Sequence, residues 1–228
     1  MCQSGLPGWV RLEGATQTLD GTTFTLFNNL ELKGTGIKQL TTVDTEIEDV
    51  LALNDREFAA NDFTVFVTGT GTGLVTRTNV MTGGFVSSTN NGGLSRNMLA
   101  ASVYVFPVGS TTGITRYRPV DITPNSAAAH TFKVRMANVN ATAEGFDLTV
   151  KDPLLCIINP DYYHRIFRTG GASPADIKIY YDASADGSYQ TIAHWQNIPE
   201  WEDTGGNTAG TGPAPFSSLT KRDRKSVV

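Results

Sequence analysis

Five carboxylates crowd one short stretch of this chain: Glu46, Glu48, Asp49, Asp55 and Glu57. Two carboxyl groups a few ångströms apart suffice for glycoside hydrolysis, and their spacing along the chain is free. Along an extended strand, Glu46 and Glu48 share one face and Ile47 takes the other. The simpler reading of that face is a solvated surface, so no catalytic residue is assigned and the chain is expected to be non-enzymatic. The three histidines, His130, His164 and His194, have no second His or Cys at ligand spacing. Each is expected to be a strand or loop residue with a local hydrogen bond. No nucleophile elbow, zinc-protease helix or P-loop is present. The Gly-rich GTGTGL at Gly69 to Leu74 runs into a Thr-rich strand, not a helix, and reads as a turn.

Two further groups of residues could bind rather than react. DASADG, Asp182 to Gly187, has the acidity of a calcium loop without the EF-hand spacing, and Ca2+ is the one cofactor it suggests. Its Asp186-Gly187 pair is also a hairpin signal. Among the late aromatics, Tyr180, Tyr181, Trp195 and Trp201 are the candidate ligand-binding residues, as a platform on which a sugar ring stacks. Packing in a core or between domains is the alternative for rings of this size.

The elements that must position these groups are strands. Charged residues make up 18% of the 228, below the roughly 25% of an average domain, and 23 glycines favour turns over helices. FNNLELKGTG, VLALNDREFA and FTVFVTGTG each place a short alternating strand before a polar turn. Leu30 and Leu32, Leu51 and Leu53, and Val65 and Val67 are the inward pairs. From Leu30 to Leu51 is 21 positions and from Leu51 to Val65 is 14, so the rungs look irregular. The pattern fits a parallel β-solenoid better than an antiparallel sheet with long loops. Beyond Ala100, VYVFPVG, YRPVDI, TFKVRMANV, FDLTV, DIKIYYD and YQTIAHW read as an antiparallel sandwich. The expected fold is therefore all-β: an irregular parallel solenoid over residues 1–100, then a β-sandwich over 101–222.

The formal net charge of -4 argues against nucleic acid as a partner, since phosphates require a basic face. No apolar run reaches the ~18 residues of a membrane span, so no insertion is expected. Cys156, inside the apolar run LLCIINP, reads as a buried free thiol.

Three blocks resemble a known family. QTLDGTTFTLFNNLELKGTG is similar to a pattern common in large surface proteins of Bacteroidota. GGFVSSTNNGGLSRNMLAASVYVFPVGSTTGITRYRPVDI resembles their G-[FY]-V…R…[VY]-x-F-P-V-G…Y-x-P-V block, and IKIYYDASADGSYQTIAHWQNIPEWEDTG resembles the segment that follows it. The likeness runs from about Gln17 to about Lys221. It implies a passenger region of a long extracellular or cell-surface protein exported by the type IX secretion system. Some relatives are associated with gliding motility or adhesion. A glycan or cell-surface partner and neighbouring domains of the same chain are then expected, and the signal peptide and sorting domain would lie outside this fragment. The motif supplies no active residues: Phe106 buries, Pro107 ends ladder donation, Gly109 lets the chain turn, and Pro119 suits a strand start.

The basic ending KRDRKSVV stands apart from this pattern. DRKSVV, Asp223 to Val228, is what a common sequencing-library adapter yields when translated in this frame. Residues 223–228 are therefore expected to be non-native. The sandwich is expected to lack its last strand, leaving an unpaired sheet edge.

Overall fold

A computed structural model describes residues 8–79, 83–196 and 198–223. The N-terminal part is a parallel β-solenoid of about three turns, and antiparallel sheets follow it. Each turn contributes one strand to each of three sheets. The first sheet holds β1 (Trp9–Leu12), β4 (Asn29–Leu32), β7 (Leu51–Asn54) and β10 (Val75–Arg77). The second holds β2 (Gln17–Leu19), β5 (Lys38–Leu40), β8 (Glu57–Ala59) and β11 (Phe85–Ser87). The third begins with β3 (Thr25–Phe27), β6 (Thr45–Ile47), β9 (Thr64–Val67) and β12 (Gly93–Met98).

The register explains why the rungs look irregular in sequence. Leu30 pairs with Leu51 and Thr45 with Val65, so the early turns repeat every 20 or 21 residues. Leu51 and Val65 lie in different sheets of one turn, and the 14-residue interval between them is not a rung. Turns lengthen only later, where Leu51 pairs with Val75 and Thr64 with Gly93. The inward pairs expected from alternation are all buried, because period-2 spacing points every second side chain into the coil.

Lys38 occupies an inward position of β5, between Ile37 and Gln39, and is fully buried. Its stem runs to a corner of the coil, where Nζ donates to the carbonyls of Gly14 at 2.7 Å, Thr35 at 3.0 Å and Ala15. The ammonium thereby gives three corner oxygens a charged donor, and the Gly14 carbonyl accepts from the Thr35 amide as well. Burial, with Arg56 adding repulsion, pulls its pKa below the usual lysine range.

The antiparallel part comprises β13 (Tyr104–Phe106), β14 (Gly109–Ser110), β15 (Arg116–Tyr117), β16 (Val120–Pro124), β17 (His130–Ala137), β18 (Tyr163–Gly170), β19 (Ala175–Asp182), β20 (Ala193–Trp195), β21 (Trp201–Asp203), β22 (Thr208–Thr211) and β23 (Phe216–Asp223). β17 and β18 extend the third solenoid sheet, adding antiparallel to β12. Inward rows therefore cross from parallel to antiparallel strands without a break. Thr45, Val65, Leu94, Val134 and Ile166 form one such row; Ile47, Val67, Arg96, Phe132 and Arg168 form the next. A five-stranded sheet in the order β13-β16-β19-β23-β22 contributes Tyr104, Phe106, Val120, Ile122 and Ile177 to the same hydrophobic core. One core thus runs from Leu12 in the first coil to Ile177.

Several local expectations are corrected. LLCIINP is a surface loop: Leu155 anchors it in a side cluster with Ala141, Tyr163 and Trp201, and Cys156 is exposed. An irregular segment with one anchor cannot bury its neighbours as a strand would. Asp186-Gly187 makes no hairpin, because Asp182–Gly187 closes one helical turn and β20 pairs with β21 instead. Gly109 is needed for close approach, not for turning: a Cβ there would lie 2.6 Å from the Arg116 carbonyl and 2.9 Å from Phe85. β23 pairs with β19 from Phe216 to Asp223 and with β22 on its other side. Residues 224–228 of the expected non-native tail fall outside the described residues. No helix among the described residues is long and apolar enough to cross a membrane.

Candidate functional site

The acidic stretch does not converge. Glu46 sits on the outer face of the third sheet, in a row between Leu26 and Phe66, and accepts a hydrogen bond from Thr68 Oγ1 at 2.9 Å. Glu48 and Asp49 are exposed at the following corner, and Asp55 pairs with its neighbour Arg56. Glu57 faces outward from the second sheet. Separation follows from the fold, because a 20-residue coil distributes neighbours in sequence over different sides.

Glu57 instead joins residues that are remote in sequence. The outer face of the second sheet carries Gln39, Ala59 and Ser87 side by side in register, at the ~4.8 Å spacing of neighbouring strands. The segment Ser110–Thr112 and Asn138, just after β17, rise beside this face and border an open groove of about 320 Å³ with polar and apolar lining. Thr111 Oγ1 donates to Glu57 Oε2 at 2.6 Å. Asn138 Nδ2 donates to the carbonyls of Thr112 and Ile114 at 2.7 and 2.8 Å, and Arg116 holds its Oδ1 at 2.7 Å. The wall is therefore fixed by hydrogen bonds on both sides of the amide.

At one end stands an ion pair that sequence reading missed. Arg135, on β17, meets Glu144 of the 3-10 turn Ala141–Glu144 with two hydrogen bonds of 2.6 Å. The same guanidinium donates to the carbonyls of Ser88 at 3.1 Å and Asn90 at 2.9 Å. Tyr163 Oη also donates to the Glu144 carboxylate. Burial alone would raise the Glu144 carboxyl, but the hydrogen bonds from Arg135 and Tyr163 outweigh it and hold the group below the usual glutamate range. Glu144 also borders a second polar hollow with Asp62, Asn90, Asn91 and Arg165, so the groove continues around the corner of the solenoid. Asn61 and Asn90 both have positive φ, 51° and 43°, at the turns that shape this corner. A sequence signal existed in STNNGG, whose Asn-rich turn forms part of the rim, but nothing local ties it to Glu144.

The groove holds many fixed acceptors and donors, and of its two carboxylates Glu144 is held below the usual range by its hydrogen bonds. Among the described residues Asp121 is the carboxyl pushed upward, by burial, and it lies elsewhere, beneath Tyr180 Oη at 2.6 Å.

The predicted aromatic residues separate into three environments. Tyr180 is buried under the β22–β23 turn, against Phe216 at 6.2 Å and the backbone of Gly212. Trp195 and Trp201 pack edge-to-face on each other at 5.5 Å and on Phe146 at 5.7 and 6.5 Å. Tyr181 packs on Tyr189 at 5.1 Å, and with Trp201 it lines an apolar pocket. The four rings do not form one surface, since each edge-to-face contact turns a ring face inward.

The acidic turn is also committed. The Asp186 carboxylate accepts from both Nε and Nη2 of Arg118, the latter at 2.6 Å, from Tyr162 Oη at 2.9 Å and from the Asp182 amide at 2.8 Å. Asp182 caps the turn through the Ser184 amide at 3.0 Å. Among the described residues no three His, Cys, Asp or Glu side chains gather around a metal position.

His130 departs from expectation: it is buried, and among the described residues neither ring nitrogen has a hydrogen-bond partner. It opens β17 beside Gly171, where an added Cβ would lie 2.8 Å from its Nδ1. His164 does bond, with Nε2 donating to the Arg118 carbonyl at 2.8 Å. Burial, reinforced by the Arg118 charge and only partly opposed by that bond, pulls His164 down to about 4. The unfolded chain binds a proton near 6.5 and the folded chain does not, so stability is full above that pH and falls as pH drops toward 4. The full interval corresponds to about 3 kcal/mol. Urea midpoints at pH 7 and 4.5 measure it. A His164→Phe variant with the same pH slope as the parent would disprove the assignment.

Compared with protein families, curated proteins and solved structures, the chain finds no match in any of the three.

Proposed function

We propose that this chain is a non-enzymatic, adhesive segment of a longer extracellular bacterial surface protein, and that it holds a glycan in the groove over the second solenoid sheet. The groove carries this reading. Its floor presents Gln39, Ala59 and Ser87 at the strand repeat, and its wall presents the hydroxyls of Ser110, Thr111 and Thr112, braced by the committed Asn138 amide. Polyhydroxylated ligands are bound by such preset donors and acceptors with little ordering cost. The family resemblance in the FPVG and YRPV blocks favours a surface location and adhesion.

A hydrolytic reading rests on one observation, that Glu57 and Glu144 line the same groove. The ion pair that keeps Glu144 charged counts against it, because a glycosidase needs one carboxyl able to donate a proton.

A glycan array followed by calorimetry on the best ligand tests the proposal. Ala59→Trp, which fills the groove from an outward strand position, is expected to abolish binding. Gln39→Ala is expected to weaken it about fivefold, the share of one hydrogen bond. An empty array, or full affinity in Ala59→Trp, refutes the adhesive reading. Release of reducing ends that stops in Glu57→Gln would replace it with the enzymatic one.

A further inference from the structure

The two sheets of the antiparallel part do not close completely on each other. His164 and Ile166 of β18 face Ile179 and Tyr181 of β19 and Leu219 of β23 across an apolar pocket of about 140 Å³. The loop around Cys156 forms part of its mouth, and Ile157 lines the pocket while remaining 82% exposed. We propose that this pocket is a binding site for one small, uncharged aromatic molecule carrying a hydroxyl group, a simple phenol.

Size comes first. An apolar space of about 150 Å³ accommodates a single benzene ring, and this pocket, open at its mouth, has a similar volume. Wall chemistry comes second. No Asp, Glu, Lys or Arg lines the pocket among the described residues, so an ionised ligand would enter without compensation. The tyrosine hydroxyls around it are already used. Tyr162 donates to Asp186, Tyr163 to Glu144, Tyr181 to the Tyr189 carbonyl and Tyr189 to the Asp186 carbonyl. Their rings therefore offer carbon to the ligand.

Besides the side-chain oxygens of Asn159 and Thr191, the lining offers one nitrogen acceptor. Because His164 Nε2 donates to the Arg118 carbonyl, Nδ1 of the neutral ring carries a lone pair. A phenol hydroxyl donates to that nitrogen; a plain hydrocarbon cannot. Ile157 supplies the closure, since a ligand in the mouth removes its exposed side chain from water.

The test uses the full chain with Cys2→Ser, labelled at the exposed Cys156 with an environment-sensitive dye, alongside Trp fluorescence from the pocket residue Trp201. Toluene, phenol, benzoate and N-acetyl-tyrosinamide are titrated. Phenol is expected to bind roughly tenfold more tightly than toluene, the value of one hydrogen bond, and benzoate to give no signal. His164→Phe should reduce phenol to the level of toluene. Ile192→Trp, which fills the pocket, should abolish binding of both. Ile157→Glu, at an exposed position that does not threaten folding, should do the same by charging the mouth.

Absence of binding by either neutral ring overturns the proposal, as does benzoate binding equal to phenol. Unchanged phenol affinity in Ile157→Glu would place the ligand elsewhere. Tighter binding of N-acetyl-tyrosinamide than of phenol would reassign the pocket to a partner protein's side chain.

Discussion

Arg96→Met is expected to destabilise the protein by about 3 kcal/mol, which lowers its melting temperature by roughly 6–12 °C for a chain of this size. Arg96 stands on an inward row between Val67 and Phe132 and is fully buried. Among the described residues it has no carboxylate partner. Its guanidinium donates to the Val105 carbonyl at 2.7 Å and to the carbonyls of Gly71 and Thr72 at 3.0 Å, and lies 5.2 Å from the Tyr104 ring centre. Two effects compete on substitution. Removing a buried cation relieves a desolvation cost, visible in a pKa pulled down by burial to about 10. Against that, three carbonyls lose a charged donor and Tyr104 loses its cation, each worth about 1–3 kcal/mol. The losses outnumber the gain. Arg96→Lys, still charged but unable to reach all three oxygens, should fall between parent and Met variant. Hydrogen exchange should quicken first at residues 69–73 and in β13, the segments that Arg96 ties together. A Met variant within about 0.5 kcal/mol of the parent would show that the carbonyls find other partners.

Asp186→Ala is expected to cost a further order of effect at an independent site, about 3–5 kcal/mol. Arg118 and Asp186 expose only 8% and 1% of their side chains. Deleting the acid leaves a buried guanidinium unpaired and strips the acceptor from Tyr162 and the Asp182 amide as well. A double variant, Arg118→Met with Asp186→Leu, should recover most of the loss, because replacing a buried pair by apolar groups is far less costly than breaking it. Denaturant unfolding of the three proteins decides the matter. A double variant no more stable than Asp186→Ala would mean that the lost hydrogen bonds, and not the stranded charge, set the cost.

These two arginines also give physical content to the family-like blocks. Arg96, Tyr104 and Phe106 meet around one guanidinium, and Arg118 of YRPV locks onto the acidic turn 60-odd residues later. The punctuation reading of Phe106 and Pro119 holds in the structure: Phe106 is buried, and Pro119 precedes β16 and accepts from the Tyr180 amide at 3.2 Å. The partners of Arg96 and Arg118 were not legible, since neither a carbonyl cage nor a distant carboxylate leaves a mark in local spacing.

What the sequence by itself determined is the strand content and the inward residues Leu30, Leu32, Leu51, Leu53, Val65 and Val67; it favoured a parallel coil, and the strand pairing decided it. Alternation is a local property, written within four or five residues, and burial follows from it. Only the tertiary structure decided which strands share a sheet, where the groove lies and which aromatic residues are covered. Those outcomes depend on pairings 20 to 29 residues apart in the solenoid and on the join between β12 and β17. Glu57 meets Thr111, and Arg135 meets Glu144 beside Asn90, because segments of the antiparallel part lie against the outer faces and corners of the coils. Register is set by the closing of one core over all the strands at once, and no single stretch of residues contains it.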